Sequence, residues 1–266
     1  MLTKSNYLSG IQCAKLLWIT KNDKSRIPAP TEIEKAKFEE GYLIEKLAGS
    51  LFPEKIDLSQ LNFDEQIEKT KELLDKRTPL FQASFLVDDL YSRADILFPV
   101  EKNQWDIIEI KSSTEPKDIH FEDLSFQKHV YEKFGLNIRK CFVMHVNKEY
   151  VKKGDIEPKE FLIQTEVSKE VEEAILGIQE RIRKMLEIIK GECPEFCIDD
   201  LKTIEYDNIV KDEFMNSLPE NNVFEFRRML TKKKIELYKE GIIKMNEVPD
   251  SIELNDKQKI QKLLSK

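Results

Sequence analysis

Three charged residues interrupt two apolar stretches of the chain at a spacing that suits metal chemistry. Asp95 lies in an apolar run that ends near Val100, and Glu109 and Lys111 flank Ile110 in the next apolar run. Alternate residues of a β-strand point to the same face of a sheet, so Glu109 and Lys111 share one face. If the two runs form a hairpin, the three side chains converge on one point. Carboxylates beside a lysine then indicate a divalent metal site, because Mg²⁺ prefers hard oxygen ligands.

A site of this kind suits phosphodiester hydrolysis. A divalent metal polarises a phosphoryl oxygen and lowers the pKa of bound water. A neighbouring lysine can orient that water or offset charge that develops in the transition state. Gln127 and Tyr131 follow at positions i and i+4 of a predicted helix, where they share a face with Leu124 and Phe134. The alternative is a hairpin with solvated charges followed by an ordinary amphipathic helix.

Apolar periodicity and turn residues predict the elements that must position these side chains. Strands are predicted over 80–86, 91–100, 105–111, 139–146 and 161–165, and helices over 5–19, 31–51, 63–76 and 168–190 and around Gln127. Thr31 and Glu34 predict a capping box at the start of the second helix. The pattern predicts an α/β fold with a central mixed β-sheet flanked by helices. In the helix over 31–51, the positions expected to be buried are Phe38, Leu43, Leu47 and Ala48.

Composition bounds the class of protein. The chain has 266 residues, of which 35% are charged and 40% hydrophobic, as in a globular protein with many exposed helix faces. The apolar runs are too short to span a membrane, and the first residues lack a signal-peptide pattern. We therefore expect a cytoplasmic protein without a membrane partner. The net charge of -7 does not by itself indicate nucleic-acid binding, although phosphate contacts need only a local basic patch.

The order of these motifs resembles a known nuclease family. An aspartate, a hairpin, E-x-K and Q-x-x-x-Y resemble the RecB-like branch of the PD-(D/E)XK nuclease superfamily, to which the CRISPR-associated exonucleases of the Cas-four type belong. Segments similar to one bacterial group of that branch are LTKSNYLSGIQCAKLLWI, FEEGYLIEKLAGSLFP, RADIL and LPENNVFEFRR. The resemblance runs from about Leu2 to at least Tyr238. It implies a restriction-endonuclease-like core with N-terminal helices over 1–200 and a helical C-terminal appendage over 201–266.

The resemblance also implies roles for individual residues. Asp95 and Glu109 would be metal ligands, and Lys111 would be the catalytic lysine. Gln127 and Tyr131 would position the site or the DNA strand. Further metal ligands would be the backbone carbonyl of Ile110 and the side chain of Glu45, although Glu45 also fits a solvated helix glutamate. The sequence departs from the related group at Gln82, where that group has a glutamate, and at Ala94, where it has a proline.

The cysteines form a partial match to an iron–sulfur site of the same family. Related nucleases hold such a cluster with four thiolates, and Cys13, Cys193 and Cys197 resemble three of them. No cysteine stands in the segment before LPENNVFEF, where the related group has further ones. Three alternatives remain: an intact cluster, a degenerate site in a fold held by packing, and a zinc site that lacks an obvious fourth ligand. Cys141 lies within a predicted strand and is expected to be a buried core residue.

Together these features predict a Mg²⁺- or Mn²⁺-dependent deoxyribonuclease. The expected partner is DNA that is single-stranded or has free ends, and the expected activity is exonucleolytic. The alternative is a nuclease-derived DNA-binding or scaffold protein, weakened by the loss of the cluster and of an acidic residue at Gln82. A helical interaction protein without a nucleic-acid role would require the motif to be coincidental.

Overall fold

The computed structural model describes residues 1–101, 103–204 and 208–265. The chain divides into two compact units. Unit 1 comprises Met1–Leu8 and Ala29–Glu187, and unit 2 comprises Ser9–Pro28 and Ile188–Lys266. The residues predicted to form the metal site all lie in unit 1. The predicted domain limit at residue 200 stays a prediction.

Unit 1 is built on a mixed β-sheet. Its seven strands in the described residues are β1 (Leu2–Thr3), β2 (Ile56–Asp57), β3 (Leu80–Val87), β4 (Leu90–Pro99), β5 (Gln104–Ile110), β6 (Asn137–Val146) and β7 (Leu162–Glu166). The strand order is β2-β3-β4-β5-β6-β7, and β1 pairs with β4 outside this order. The pairs β1–β4, β2–β3 and β5–β6 are parallel, and the other three are antiparallel. The predicted α/β class with a central mixed sheet flanked by helices is confirmed.

Four of the described α-helices begin at a residue whose side chain caps the helix. Those of the described residues are α1 (Lys4–Gln12), α2 (Ala14–Asn22), α3 (Glu32–Ser50), α4 (Phe63–Leu73), α5 (Asp118–Phe134), α6 (Pro158–Phe161), α7 (Ser168–Ala174), α8 (Ile178–Lys190), α9 (Ile209–Ser217), α10 (Thr231–Lys239) and α11 (Asp256–Leu264). The predicted capping box of Thr31 and Glu34 is confirmed, and Asn255 caps α11. Side-chain caps satisfy backbone N–H groups that lack a partner within the helix.

Two predicted helices are interrupted. The helix predicted over 5–19 is wrong as one element, because Cys13 is extended (φ -164°, ψ 133°) and separates α1 from α2. The helix predicted over 168–190 is wrong in the same way. Gly177 has φ 73°, in the left-handed region that glycine adopts readily, and it separates α7 from α8.

The core of unit 1 forms where helices cover the sheet. The second half of α3 contributes Ile44 and Ala48 to an apolar cluster with Phe81, Ile96 and Ile108. Helix α5 packs against β3, β4 and β6. Its buried apolar residues are Leu124, Phe126, Val130 and Tyr131.

One sequence expectation for α3 is contradicted. Ala48 is buried and Leu47 is partly buried, but Phe38 and Leu43 are exposed. The prediction of burial at Phe38 and Leu43 is therefore wrong. For Phe38 the reason is positional, because every residue from 31 to 40 is exposed whatever side of the helix it occupies. Leu43 lies in the second half of the helix, where Ile44 rather than Leu43 takes the buried position.

Unit 2 is helical in its described part. One apolar cluster joins Cys13, Leu16 and Ile19 to Ile204 and Val210. A second cluster is made by Val223, Phe224, Phe226, Ile235, Leu237, Met245, Val248 and Leu254. Across the described residues of both units, no helix has the length and apolar character needed to cross a membrane.

The packing of α5 on β3 leads to a stability prediction. Phe85 is fully buried, and its ring lies 4.5 Å from that of Tyr131 and 5.1 Å from that of Phe134, measured between centroids. Phe85→Ala should lower the free energy of unfolding by about 3–5 kcal/mol, because it leaves a cavity under α5. Urea denaturation followed by circular dichroism measures this change. Leu86→Ala is the matched control, since the Leu86 side chain is exposed, and it should cost less than about 1 kcal/mol. Equal losses in the two variants would contradict this account of the packing.

Candidate active site

Asp95 and Glu109 lie where the ladder between β4 and β5 ends. The last paired residues of these strands are Ile96 and Ile108. Beyond them, the Asp95 carboxylate replaces a ladder bond by accepting a hydrogen bond from the backbone N–H of Ile110, with N to Oδ2 at 2.8 Å. The Asp95 carboxylate of β4 is thereby fixed against the backbone of β5 at Ile110, which lies between Glu109 and Lys111.

A buried cluster of charges surrounds Glu109. The side chains of Glu109 and Asp123 are only 2% and 1% exposed. The Lys111 ammonium donates to Glu109 Oε1 and to Asp123 Oδ2, both at 2.7 Å. The Gln127 amide donates to Glu109 Oε2 at 2.6 Å and to Asp123 Oδ1 at 2.9 Å. One lysine and one amide thus bridge the same two carboxylates.

Tyr131 fixes the orientation of the Gln127 amide. The Tyr131 hydroxyl donates to Gln127 Oε1 at 3.0 Å and lies 3.1 Å from the Ser92 hydroxyl. Because its carbonyl oxygen takes this bond, Gln127 must turn its NH₂ group toward the carboxylates. The structure therefore brings together Glu109, Lys111, Gln127 and Tyr131, with Asp95 joined to them through the Ile110 backbone.

Two residues of the cluster, Asp123 and Lys4, were not predicted as site residues from the sequence. Asp123 precedes Gln127 by four residues on α5, so its place on the same helix face was visible in the spacing. Lys4 donates to Glu109 Oε1 at 2.9 Å and lies 3.6 Å from Asp123 Oδ1. No local pattern marks Lys4, because its position depends on the pairing of β1 with β4.

The carboxylates keep both lysines charged. Burial alone would lower the pKa of Lys111, but the charges of Asp123 and Glu109 outweigh burial, and the pKa lies above its ordinary value. The pKa of Lys4 is raised by the same balance, with Asp95 adding to the effect. Both side chains are therefore cations throughout the physiological range of pH.

Glu45 approaches the site through Gln82. The Gln82 amide donates to Glu45 Oε1, and burial raises the pKa of Glu45, with the charges of Glu109 and Asp57 adding to the effect. Gln82 is buried and has φ 57°, a left-handed conformation in the middle of β3. Such a conformation costs about 1–3 kcal/mol for a residue other than glycine. Glu45 thus lies close enough to the cluster for the charge of Glu109 to raise its pKa, while its hydrogen bond is with Gln82.

The cluster contains side chains of the kind that bind divalent cations. Asp95, Glu109 and Asp123 supply the carboxylate oxygens that Mg²⁺ and Mn²⁺ prefer. In the side-chain arrangement of the described residues, no three carboxylate, histidine or cysteine groups are already placed around a common metal position. Ammonium groups of Lys4 and Lys111 lie instead on the oxygens of Glu109 and Asp123. The backbone carbonyl of Ile110 stays a predicted ligand.

The three cysteines predicted for a cluster differ in their surroundings. Cys13 is buried and hydrogen-bonded to Asp200, and burial raises the pKa of its thiol to about 12. Cys193 and Cys197 are exposed. Within the described part of the chain, these thiols do not form a ready set of ligands. The iron–sulfur cluster stays a prediction, and the expectation that Cys141 is a buried core residue is confirmed.

Known proteins do not identify the chain. No protein-family model matches it, and no curated protein matches it either. The similarity of its motifs to RecB-like nucleases therefore stays a prediction, which the geometry of the site must support by itself.

His120, at the start of α5, gives the stability of the fold a pH dependence. Burial, assisted by the charge of Lys111, lowers the pKa of His120 from 6.5 to about 4. Its Nδ1 accepts a hydrogen bond from the Lys117 N–H at 3.2 Å, which requires an unprotonated nitrogen. Between pH 6.5 and about 4 the unfolded chain binds a proton that the folded chain refuses, so stability falls as the pH falls through this window.

His120→Gln should remove this part of the acid sensitivity, because glutamine takes up no proton. The difference in unfolding free energy between pH 7 and pH 5 should be smaller in the variant than in the wild type by about 1–2 kcal/mol. Denaturant titrations at the two pH values measure both differences. The same pH dependence in variant and wild type would contradict a buried neutral His120.

Proposed function

We propose that this protein is a Mg²⁺- or Mn²⁺-dependent nuclease that hydrolyses phosphodiester bonds of DNA. The observation that carries the proposal is the meeting of Glu109, Lys111 and Gln127 in one buried cluster, with Asp95 fixed beside them on the neighbouring strand. A restriction-endonuclease-like core is the finer fold assignment that accompanies this function. The RecB-like resemblance of the same residues supplies DNA as the substrate.

Each residue has a role that its contacts support. Asp95 and Glu109 would hold the metal ion, which supplies Lewis-acid activation of a phosphoryl oxygen and of water when it is bound. Lys111 is a cation and a hydrogen-bond donor, so it would orient the attacking water and offset negative charge at the phosphate. Gln127, held by Tyr131, keeps Glu109 in a single orientation. Second-layer hydrogen bonds of this kind tune the ligands that they contact.

One observation favours the alternative of a DNA-binding or scaffold protein. Lys4 and Lys111 already neutralise much of the charge on Glu109 and Asp123. A buried network that balances its own charges can be purely structural. Gln82 in place of a glutamate removes one further negative charge from the same region.

Cleavage of end-labelled single- and double-stranded DNA with Mg²⁺ or Mn²⁺ distinguishes the two functions. Asp95→Asn is the sharpest variant, because asparagine keeps an oxygen that can accept from Ile110 N–H and loses only the charge. It should lower the rate by about 100-fold or more while the fold remains intact. Lys111→Met should have a similar effect on the rate.

Lys140→Met is the matched control, because Lys140 forms an exposed ion pair with Glu166. This variant should cleave DNA as the wild type does. Undiminished cleavage by Asp95→Asn would show that the nuclease activity lies elsewhere or comes from a contaminant. Wild-type protein that binds DNA but cleaves none with either metal would establish the scaffold function instead.

The exposed part of α3 supports a single-stranded substrate. Phe38 and Tyr42 lie one turn apart and are 64% and 68% exposed. Glu45, which is hydrogen-bonded to Gln82, lies three residues after Tyr42 on the same helix. Exposed aromatic rings stack on the bases of single strands with about 1–3 kcal/mol per base. An aromatic pair leading toward the cluster suits an unpaired strand better than a duplex, whose bases are stacked internally.

Phe38→Ser combined with Tyr42→Ser should therefore weaken the binding of single-stranded DNA by about tenfold or more, because stacking is lost. Fluorescence anisotropy with a labelled oligonucleotide in the presence of EDTA measures binding without cleavage. Leu176→Ser is the control, because Leu176 is an exposed apolar residue without an aromatic ring. Equal affinities of the double variant and the control would contradict a stacking role.

A further inference from the structure

Lys4 reaches the carboxylate cluster from a well-anchored N-terminal segment. Leu2 is fully buried, pairs with Leu90 of β4, and donates its N–H to the Asp89 carbonyl at 2.7 Å. On the other side of Lys4, Tyr7 is also fully buried and stacks on Phe126 with ring centroids 4.8 Å apart. These contacts on both sides fix the backbone of Lys4, so its ammonium group can change partner only by rotation of the side chain.

The contacts of Tyr7 strengthen this anchor. Its hydroxyl donates to Glu122 Oε2 at 2.9 Å and accepts from Arg181 Nε at 3.1 Å. Residues of α5 and α8 therefore hold the start of α1 against the helix that carries Asp123 and Gln127. A surface lysine of a loose terminus would have no such support.

Lys4 and Lys111 compete for one oxygen. Both ammonium groups contact Glu109 Oε1, at 2.9 Å for Lys4 and 2.7 Å for Lys111. Lys111 also makes a 2.7 Å contact with Asp123, whereas the second contact of Lys4 is 3.6 Å long. Two like charges on one oxygen repel each other, and a third cation at Glu109 would increase that repulsion. Lys4, with the weaker contacts, is the group that must give way.

We propose that Lys4 is a displaceable counterion of the site: it neutralises Glu109 before metal binding and turns to a phosphate of the nucleic acid once a divalent cation takes its place. The proposal rests on the proposed function for the identity of metal and substrate. The Lys4 side chain is 22% exposed, whereas those of Glu109 and Asp123 are 2% and 1% exposed, so Lys4 lies at the solvent side of the cluster. Four methylene groups let the ammonium move while the anchored backbone stays in place.

Mn²⁺ binding without nucleic acid tests the first half of the proposal. Isothermal titration calorimetry should show that Lys4→Met binds Mn²⁺ about tenfold more tightly than wild type, because the competing cation is gone. Lys128→Met is the matched control. Lys128 is a largely buried lysine that forms ion pairs with Glu132 and Glu172 rather than with the carboxylates of the site, so its loss should leave the affinity unchanged. Lys4→Gln, which keeps a hydrogen-bond donor without the charge, replaces Lys4→Met if the latter does not fold.

The salt dependence of nucleic-acid binding tests the second half. With Mn²⁺ and a phosphorothioate oligonucleotide that resists cleavage, the slope of log affinity against log salt should be smaller in Lys4→Met by about 0.7, the value of one phosphate contact on a single strand. In EDTA the two slopes should agree, because Lys4 then stays on Glu109.

The outcomes separate this inference from the proposed function. Unchanged or weaker Mn²⁺ binding by Lys4→Met, or no Mn²⁺ binding by variant and wild type alike, would overturn the displaceable counterion. So would slopes that agree in Mn²⁺. Tighter Mn²⁺ binding by Lys4→Met and the reduced slope would support it even if the wild type cleaves no DNA, a result that would overturn only the nuclease function.

Discussion

The rest of unit 1 must supply partners for two buried carboxylates. Glu109 and Asp123 are almost fully removed from water, and a buried charge without partners costs several kcal/mol. Their partners come from three parts of the chain: Lys111 directly after β5, Gln127 from α5 and Lys4 from the start of α1. The strand pairing of β1 and the packing of α5 are therefore conditions for keeping these charges inside the fold.

The sequence predicted those parts of the structure that follow from local patterns. The hairpin, the mixed sheet and the shared face of Gln127 and Tyr131 arise from alternation and helical spacing, which are visible in single stretches. Lys4 could not be predicted, because it meets Glu109 across 105 residues through a two-residue strand without a distinctive pattern. The exposure of Phe38 could not be predicted either. Periodicity shows which side of a helix is apolar, but it does not show how far the rest of the fold extends along that side.

Backbone strain is found at one residue beside the candidate site. Gln82 lies between two paired positions, Phe81 with Ile96 and Ala83 with Ala94, and its left-handed conformation interrupts the ladder opposite Asp95. Its side chain then reaches Glu45 rather than continuing the alternation of β3. Strained backbone tends to persist where surrounding structure demands it, often at functional sites. The irregularity of β3 at Gln82 thus lies across the strand pair from Asp95 in β4.

The short strand β1 also has a consequence for the charge balance of the site. Leu2 pairs with Leu90, so the contact between β1 and β4 closes a long loop of the chain. Closing such a loop costs entropy that a local hairpin does not. If β1 left β4, Glu109 and Asp123 would keep the ammonium group of Lys111 and lose that of Lys4. The charge balance of the cluster therefore depends on a pairing between segments that are far apart in the sequence.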